Sequence, residues 1–205
     1  MKKQVFFIHG GDAFSKHSDF LQYLHTKPLR NVPNSQASEH WTRTLAEDLG
    51  EEYEVFMPSM PNKQNAQYEE WCIWFQRHQP YLRDGVVLVG WSLGGMFLAK
   101  YLAEHELPFI PAKVMLLAAP CKTCTGVAGN DCGTFQFNLV CLEKLAESTI
   151  SMEIWHSEDD FVVPFTAAKE YIQALPKAKA VYFKDKNHFL GATFSELLKA
   201  IKART

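Results

Sequence analysis

Short apolar runs alternate with longer amphipathic segments along almost the whole chain. Six runs are rich in β-branched or aromatic residues, which predicts strands at residues 4–8, 53–57, 85–89, 113–118, 150–156 and 180–183. Six other segments space apolar residues three and four positions apart, which predicts helices at residues 38–49, 67–78, 94–104, 139–147, 166–175 and 192–202. This repeated alternation of strand and helix is typical of an α/β protein with a parallel sheet.

The strands themselves indicate how the sheet is covered. Residues 86–89 and 114–119 are uninterrupted apolar runs, as expected for strands that are buried on both faces. We therefore predict a three-layer α/β/α sandwich with about six mostly parallel strands. The length of 205 residues suits one domain spanning residues 1–205, with little room for a large cap domain.

Two connections are longer than the others, at residues 12–37 after the first strand and residues 121–137 after the fourth. Connections longer than about 12–15 residues usually bind something or cover a site. The first contains Phe14, Phe20 and Tyr23, which either line an acyl pocket or a lid, or anchor an ordinary surface helix. The second is polar and contains three of the cysteines.

Charge and hydropathy narrow the range of partners. The formal net charge is −2, so the chain has no surplus of lysine and arginine to neutralise a phosphate backbone, and we expect no nucleic-acid partner. No apolar run approaches the roughly 20 residues that span a bilayer, and we expect no membrane partner. The first apolar run stops at His9, short of the about 7–15 residues of a signal peptide.

The five cysteines are an odd number in a chain without an export signal, which favours a reduced protein in the cytoplasm. Cys121 and Cys124 form a Cys-x-x-Cys pair, and Cys132 and Cys141 follow further along. Structural zinc sites usually use two close pairs, and here only the first pair is close. Zinc binding, a redox pair at Cys121 and Cys124, and plain reduced thiols all stay open. For catalysis we predict neither a metal nor an organic cofactor.

The sequence Gly-Trp-Ser-Leu-Gly at residues 90–94 is the best candidate for a catalytic motif. It follows a predicted strand and opens a predicted helix, which is the context that a Gly-x-Ser-x-Gly nucleophile elbow requires. Ser92 then sits in a strained turn whose flanking residues pack too closely to carry a Cβ. The first N–H groups of the helix point at the site, where negative charge develops. The alternative is a glycine-rich turn that only packs or holds a phosphate.

A serine hydroxyl is a poor nucleophile unless a base takes its proton, and that base must itself be oriented. Asp159 and Asp160 follow the fifth predicted strand, and His188 follows the sixth. The carboxyl ends of parallel strands meet at one edge of the sheet, where ligands bind. The chain order of serine, acid and histidine is that of α/β-hydrolases.

With these motifs the chain resembles the α/β-hydrolase superfamily and, within it, the small single-domain serine hydrolases of the retinoblastoma-binding protein nine type. The matching pieces are spread over nearly the whole chain. They are the His-Gly-Gly at residues 9–11, the aromatic helix around Trp71 and Trp74, the elbow, the Asp-Asp-x-x-Val-Pro at residues 159–164 and the Asn-His-Phe at residues 187–189.

The resemblance implies a Ser-His-Asp triad. Ser92 matches the nucleophile and His188 matches the general base. In the family the acid stands a few residues before a Val-Pro pair, which points to Asp160, with Asp159 as the alternative. The backbone N–H groups of Gly11 and Leu93 match the oxyanion donors.

Phe14 and Trp91 are the candidates for lining the substrate pocket. The implied activity is that of a serine hydrolase that cleaves a small carboxylic ester, or a related acyl bond, through an acyl-enzyme. Its expected partner is a small-molecule acyl substrate, and no protein partner is indicated. The alternative function is a protein-binding module on a hydrolase scaffold with weak or vestigial activity.

Overall fold

The computed structural model describes residues 1–29, 39–121 and 130–203. Within these ranges the strands are β1 (Lys3–Ile8), β2 (Tyr53–Phe56), β3 (Val87–Trp91), β4 (Lys113–Leu117), β5 (Met152–Ser157) and β6 (Lys179–Phe183). The α-helices are α1 (His17–Thr26), α2 (Leu45–Leu49), α3 (Tyr68–His78), α4 (Leu93–Glu104), α5 (Glu143–Glu147), α6 (Thr166–Ala174) and α7 (Ser195–Lys202). Short 3-10 helices occupy Trp41–Arg43, Gln79–Tyr81, Gly133–Phe135 and Leu139–Leu142.

The strands form one sheet in the order β2-β1-β3-β4-β5-β6, and every pairing is parallel. The predicted α/β fold with about six mostly parallel strands is therefore confirmed. The strand order reverses at β1, because β2 lies on one side of it and β3 on the other. In open parallel sheets ligands bind beyond the carboxyl ends of the strands at such a reversal.

A hydrophobic core on each face makes the sheet the middle layer. Along β1 the side chains alternate between the two cores: Phe6 and Ile8 belong to one, Val5 and Phe7 to the other. Each of these four residues is at most 2% exposed. Burying one such side chain contributes about 1.5–3 kcal/mol, so both faces of this strand stabilise the fold.

The segment predicted as one helix at residues 38–49 is divided in two. Trp41–Arg43 is a 3-10 turn, and α2 begins only at Leu45, because Thr44 adopts φ −106° and ψ −2°. The Thr44 hydroxyl lies 3.4 Å from Trp41 O, to which it donates, and side-chain hydrogen bonds to the backbone compete with helical geometry. The 3-10 turn places Trp41 in the second core.

α1 forms within the long connection at residues 12–37, of which residues 30–37 lie outside the described part. None of its residues is buried. It is held by Phe14, whose ring lies 5.2 Å from that of Tyr23, and by Asp12, whose Oδ2 accepts from Tyr23 Oη and Lys27 Nζ (3.0 Å each). The helix is therefore tied to the residue that directly follows Gly11. A role as a lid stays a prediction.

The cysteines differ from the expectation of five reduced thiols. Cys132 is disulfide-bonded, so that expectation is wrong at this position. Cys124, half of the predicted zinc or redox pair, lies outside the described residues. No cluster of three or more His, Cys, Asp or Glu side chains among the described residues is arranged to hold a metal ion. In the same ranges, no helix is both long and apolar enough to cross a bilayer.

Candidate active site

Ser92 stands at the junction of β3 and α4. Its φ of 55° and ψ of −125° are a conformation that L-residues rarely adopt, so the turn predicted to be strained is strained. Its N–H donates to Leu117 O on β4 (2.8 Å), and its carbonyl accepts from Gly95 N–H (2.9 Å). These two hydrogen bonds hold the elbow between the sheet and the helix.

Glycines surround this turn because the backbones approach each other closely. A Cβ built on Gly90 would lie 2.4 Å from Gly94 O, and one on Gly94 would lie 2.3 Å from Ile8 O. Both contacts are with backbone atoms, which cannot swing away as the end of a side chain does. The two outer glycines of the Gly-x-Ser-x-Gly motif are therefore required by packing.

We expect Gly94→Ala to lower the free energy of unfolding by at least about 1–3 kcal/mol, the usual cost of overpacking. Urea denaturation followed by circular dichroism measures it. Gly191→Ala is the matched control, because its nearest atom would be Thr193 O at an ordinary 3.5 Å, and it should stay within about 0.5 kcal/mol of the wild type. Equal stability of the two variants would contradict the close approach.

His188 lies in the connection between β6 and α7 and is only 4% exposed. Its Nδ1 is 2.8 Å from Asp160 Oδ2. The other oxygen of that carboxylate accepts the backbone N–H groups of Val162 (2.8 Å) and Val163 (2.9 Å). The carboxylate is therefore fixed on one side by the backbone and faces the imidazole with the other.

Asp159, the alternative acid, has a different set of partners. Its Oδ1 accepts from Ser157 Oγ (2.5 Å) and from the backbone N–H of Asn187 (2.8 Å). The structure thus brings Asp160 to the imidazole of His188, and it brings Asp159 to the backbone just before that histidine. The carboxylates of Asp159 and Asp160 therefore have different hydrogen-bond partners.

His156, near the end of β5, is a further neighbour of the acid, and its place at the end of a predicted strand indicated a structural role. It is 1% exposed, and its Nε2 lies 2.9 Å from Val163 O and 3.4 Å from Asp160 Oδ2. Because Nε2 faces two acceptors, it carries a proton and donates it. The available sequence signal was its spacing of four residues before Asp160 at the end of a strand.

The two histidines determine the charge state of the acid. Burial alone would raise the pKa of Asp160, but hydrogen bonds from His156 and His188 outweigh burial and hold that pKa well below its ordinary range. The carboxylate is therefore ionised at neutral pH. An ionised Asp160 can only accept, so His188 Nδ1 must donate, which leaves its Nε2 free to accept a proton.

The contact between the Ser92 turn and His188 is made by Trp91, the residue before Ser92 in the chain. Trp91 Nε1–H donates to the carbonyl of His188 (3.1 Å), and the two rings lie 5.5 Å apart. In the described part of the chain, Ser92 Oγ and the imidazole are not hydrogen-bonded to each other. Catalytic hydrogen bonds in enzymes without substrate are often long and tighten only in the substrate complex.

The two residues whose N–H groups are the expected oxyanion donors are close to each other. A Cβ built on Gly11 would be 3.4 Å from Leu93 Cδ2 and 2.7 Å from Lys63 O, so Gly11 is packed between them. Leu93 opens α4, where the first N–H groups have no partner within the helix. Among the described residues, neither N–H donates a hydrogen bond.

His9, directly after β1, supports the backbone next to Gly11. Its Nδ1 lies 2.6 Å from Gly10 O, and its Nε2 lies 2.9 Å from the N–H of Met60, so Nε2 accepts and Nδ1 donates. Burial lowers the pKa of this imidazole, which favours the neutral ring that the pattern requires. His9 therefore fixes the backbone next to Gly11, and both of its ring nitrogens are used in these hydrogen bonds.

The two pocket candidates have different surroundings. Phe14 lines a cavity of about 430 Å³, shared with Asn65, Gln67 and residues of the 130s. A second cavity of about 530 Å³ is lined by Phe20, Lys63 and neighbours of Lys63. Lys63 is the residue that packs on Gly11, so the second cavity lies beside Gly11. Trp91 lines neither, because its ring packs on His188 and, at 4.9 Å, on His40.

The parallel sheet, the elbow and the buried histidine–carboxylate pair define an α/β-hydrolase. The structure of the ydeN gene product of B. subtilis matches with a TM-score of 0.70 at 21% identity, covering 98% of this chain and 97% of that one. The esterase RhEst1 from Rhodococcus sp. ECU1013 matches with a TM-score of 0.55 at 16% identity, covering 100% and 92%. These likenesses show the fold.

Sequence similarity then narrows the class. YdeN of Bacillus subtilis (strain 168), which carries a provisional designation as a hydrolase, is 24% identical over 179 residues, or 87% of this chain and 82% of that protein. The sequence model of the serine hydrolase family matches residues 32–196. The chain therefore belongs to the serine hydrolase family, and its enzyme class is that of a hydrolase.

Proposed function

We propose that this hydrolase cleaves a small carboxylic ester or a related acyl bond through Ser92, His188 and Asp160. The observation that carries the proposal is the 2.8 Å contact of His188 Nδ1 with Asp160, at the edge of the sheet where Ser92 occupies its strained turn. The proposed partner is a small-molecule acyl substrate. The cavity of about 530 Å³, which Lys63 lines next to Gly11, fits a ligand of that size.

In the first half-reaction, His188 Nε2 takes the hydroxyl proton of Ser92 while Oγ attacks the carbonyl carbon. The carbonyl oxygen becomes an oxyanion, which the N–H groups of Gly11 and Leu93 stabilise. Removing one such donor typically costs about 2.7–4 kcal/mol of transition-state stabilisation. The intermediate then collapses, the bond to the leaving group breaks, and His188 gives its proton to the departing alcohol.

In the second half-reaction, water replaces the alcohol. His188 takes a proton from the water as the water attacks the acyl-enzyme, and it returns that proton to Ser92 when the acid product leaves. Throughout, Asp160 holds the tautomer of the ring and stabilises the imidazolium. The steps draw on no metal or organic cofactor.

The test is reaction with a fluorophosphonate together with a panel of esters of increasing acyl length. An activated serine displaces fluoride and gains the phosphonyl group, so we expect a single adduct that maps to Ser92 by peptide mass spectrometry. We also expect the highest kcat/KM with the shortest acyl chains. A protein that is inert to both reagents would instead favour a binding module on a hydrolase scaffold.

A cytoplasmic location stays a prediction. One of its premises was the reduced state of the cysteines, and the disulfide at Cys132 removes that premise.

A further inference from the structure

The loop that carries His188, residues 184–191 (the His188 loop), is bent on both sides of the histidine. Asn187 has a φ of 40° and Phe189 has a φ of 55°, both in the left-handed region that favours glycine. Non-glycine residues persist there only when the surrounding structure holds them. The loop therefore needs external contacts to keep the imidazole in place.

On the N-terminal side, these contacts come from the end of β5. The N–H of Lys186 donates to Ser157 Oγ (3.0 Å), and the N–H of Asn187 donates to Asp159 Oδ1 (2.8 Å). They fix the chain as it approaches His188, but they do not reach the backbone carbonyls of His188 and Phe189.

On the C-terminal side, two indoles hold two successive carbonyls. Trp91 Nε1–H donates to His188 O (3.1 Å), and Trp41 Nε1–H donates to Phe189 O (2.8 Å). Trp41 is 2% exposed, and its ring contacts that of Trp91 edge to face at 6.4 Å. The two tryptophans (the indole pair) form one packed unit that hydrogen-bonds to the loop twice.

The hydrogen bond from Trp91 to His188 O also connects the His188 loop to the nucleophile. Trp91 directly precedes Ser92, so one peptide bond and one hydrogen bond connect the nucleophile to the backbone of His188. The ring of Trp91 also lies 5.5 Å from the imidazole, on which it packs. A shift of the loop would move the base relative to the hydroxyl, and errors of about 1 Å in such geometry can cost about 10²-fold in rate.

We propose that Trp41 and Trp91 are positioning residues that set the placement of His188 relative to Ser92. The proposal rests on the proposed function. Trp91 then acts through the histidine, which differs from its expected role in lining the substrate pocket. Trp41 belongs to the 3-10 turn Trp41–Arg43, a part of the chain that carries no catalytic motif.

The test compares Trp91→Phe and Trp41→Phe with two tryptophans outside the loop. Phenylalanine keeps an aromatic ring and removes the N–H. Trp155→Phe is the first control, because Trp155 Nε1 donates to Glu153 Oε2 (2.8 Å) within the same hydrophobic core. Trp74→Phe is the second, because Trp74 Nε1 is buried with no hydrogen-bond partner among the described residues.

With a short-chain ester, we expect each variant of the indole pair to lower kcat about tenfold, the loss that one hydrogen bond typically supports, with KM changed less than about twofold. The double variant should fall less than about threefold below the worse single variant, because both indoles hold one loop. Both controls should keep wild-type kcat. A loss of kcat in Trp155→Phe equal to that of the indole-pair variants would overturn the proposal.

Amide hydrogen exchange gives a readout that does not depend on activity. The N–H groups of Phe189 and Leu190 bond within the loop, to Lys186 O and Asn187 Oδ1, so they report its opening. We expect about tenfold faster exchange there in the indole-pair variants and unchanged exchange in the controls. Unchanged exchange in Trp91→Phe and Trp41→Phe refutes the positioning role, whereas a wild-type protein inert to esters and fluorophosphonate refutes the proposed function.

Discussion

Replacing Ser92 by alanine should lower kcat for a short-chain ester by at least about 10³-fold. The substitution removes only the hydroxyl group, whose oxygen forms the bond to the acyl carbon in the proposed mechanism. We expect the variant to fold normally, because the elbow is held by backbone hydrogen bonds of Ser92 to Leu117 and Gly95 and not by the hydroxyl. Steady-state kinetics and the melting temperature measure the two effects separately.

Ser151→Ala is the matched control for this variant. Ser151 is an exposed serine just before β5, outside the candidate site, and its loss should leave kcat at the wild-type level. The fluorophosphonate adduct should be absent from Ser92→Ala and present in Ser151→Ala. Full esterase activity in Ser92→Ala would remove Ser92 as the nucleophile, whatever its backbone geometry.

Asp160→Asn should lower kcat by about 10⁴-fold, and Asp159→Asn by less than about tenfold. An amide at position 160 presents an N–H₂ group or a weaker acceptor to His188, so the ring loses the partner that fixes its tautomer. At position 159 the hydrogen bonds come from Ser157 Oγ and the N–H of Asn187, and an amide oxygen can still accept both. The reverse ranking of the two variants would make Asp159 the acid.

The depressed pKa of Asp160 adds a pH dependence to this comparison. A carboxyl whose pKa is lower in the folded state stabilises the fold above its unfolded pKa of about 3.9, and this stabilisation is lost as the pH falls toward the folded value. Asp160 therefore stays ionised from about pH 8 to pH 5. A fall in kcat/KM over that range should therefore not come from protonation of Asp160.

Unfolding by urea tests the depressed pKa of Asp160. The stability difference between the wild type and Asp160→Asn should shrink as the pH falls below about pH 4, because there the unfolded carboxyl takes up a proton while the folded one stays ionised. A difference that stays the same from about pH 4 to pH 2 would contradict a lowered pKa for Asp160 in the folded protein.

The sequence predicted those parts of the molecule that depend on local pattern. Hydrophobic periodicity is a local property, so every predicted strand overlaps an observed one, from Lys3–Ile8 to Lys179–Phe183. The elbow at Ser92 was predictable for the same reason, because a strand, a glycine-rich turn and a helix follow each other directly in the chain. Helix boundaries were less accurate, as at Thr44, where the predicted helix is divided into a 3-10 turn and α2.

The oxidation state of the cysteines could not be predicted from their number. An odd number of cysteines suggested reduced thiols, but Cys132 is disulfide-bonded. A disulfide depends on the distance and direction of two side chains, which a count does not contain.

By itself, the amino-acid sequence determined the α/β architecture, the serine in its turn and the residue types of the site. Only the tertiary structure decided which of two adjacent carboxylates faces His188, because Asp159 and Asp160 differ by one residue and the turn after β5 directs them to different partners. It also brought Trp41 to the carbonyl of Phe189, 148 residues further along the chain. Contacts between residues so far apart in the chain arise from packing around the sheet, and local sequence patterns do not predict them.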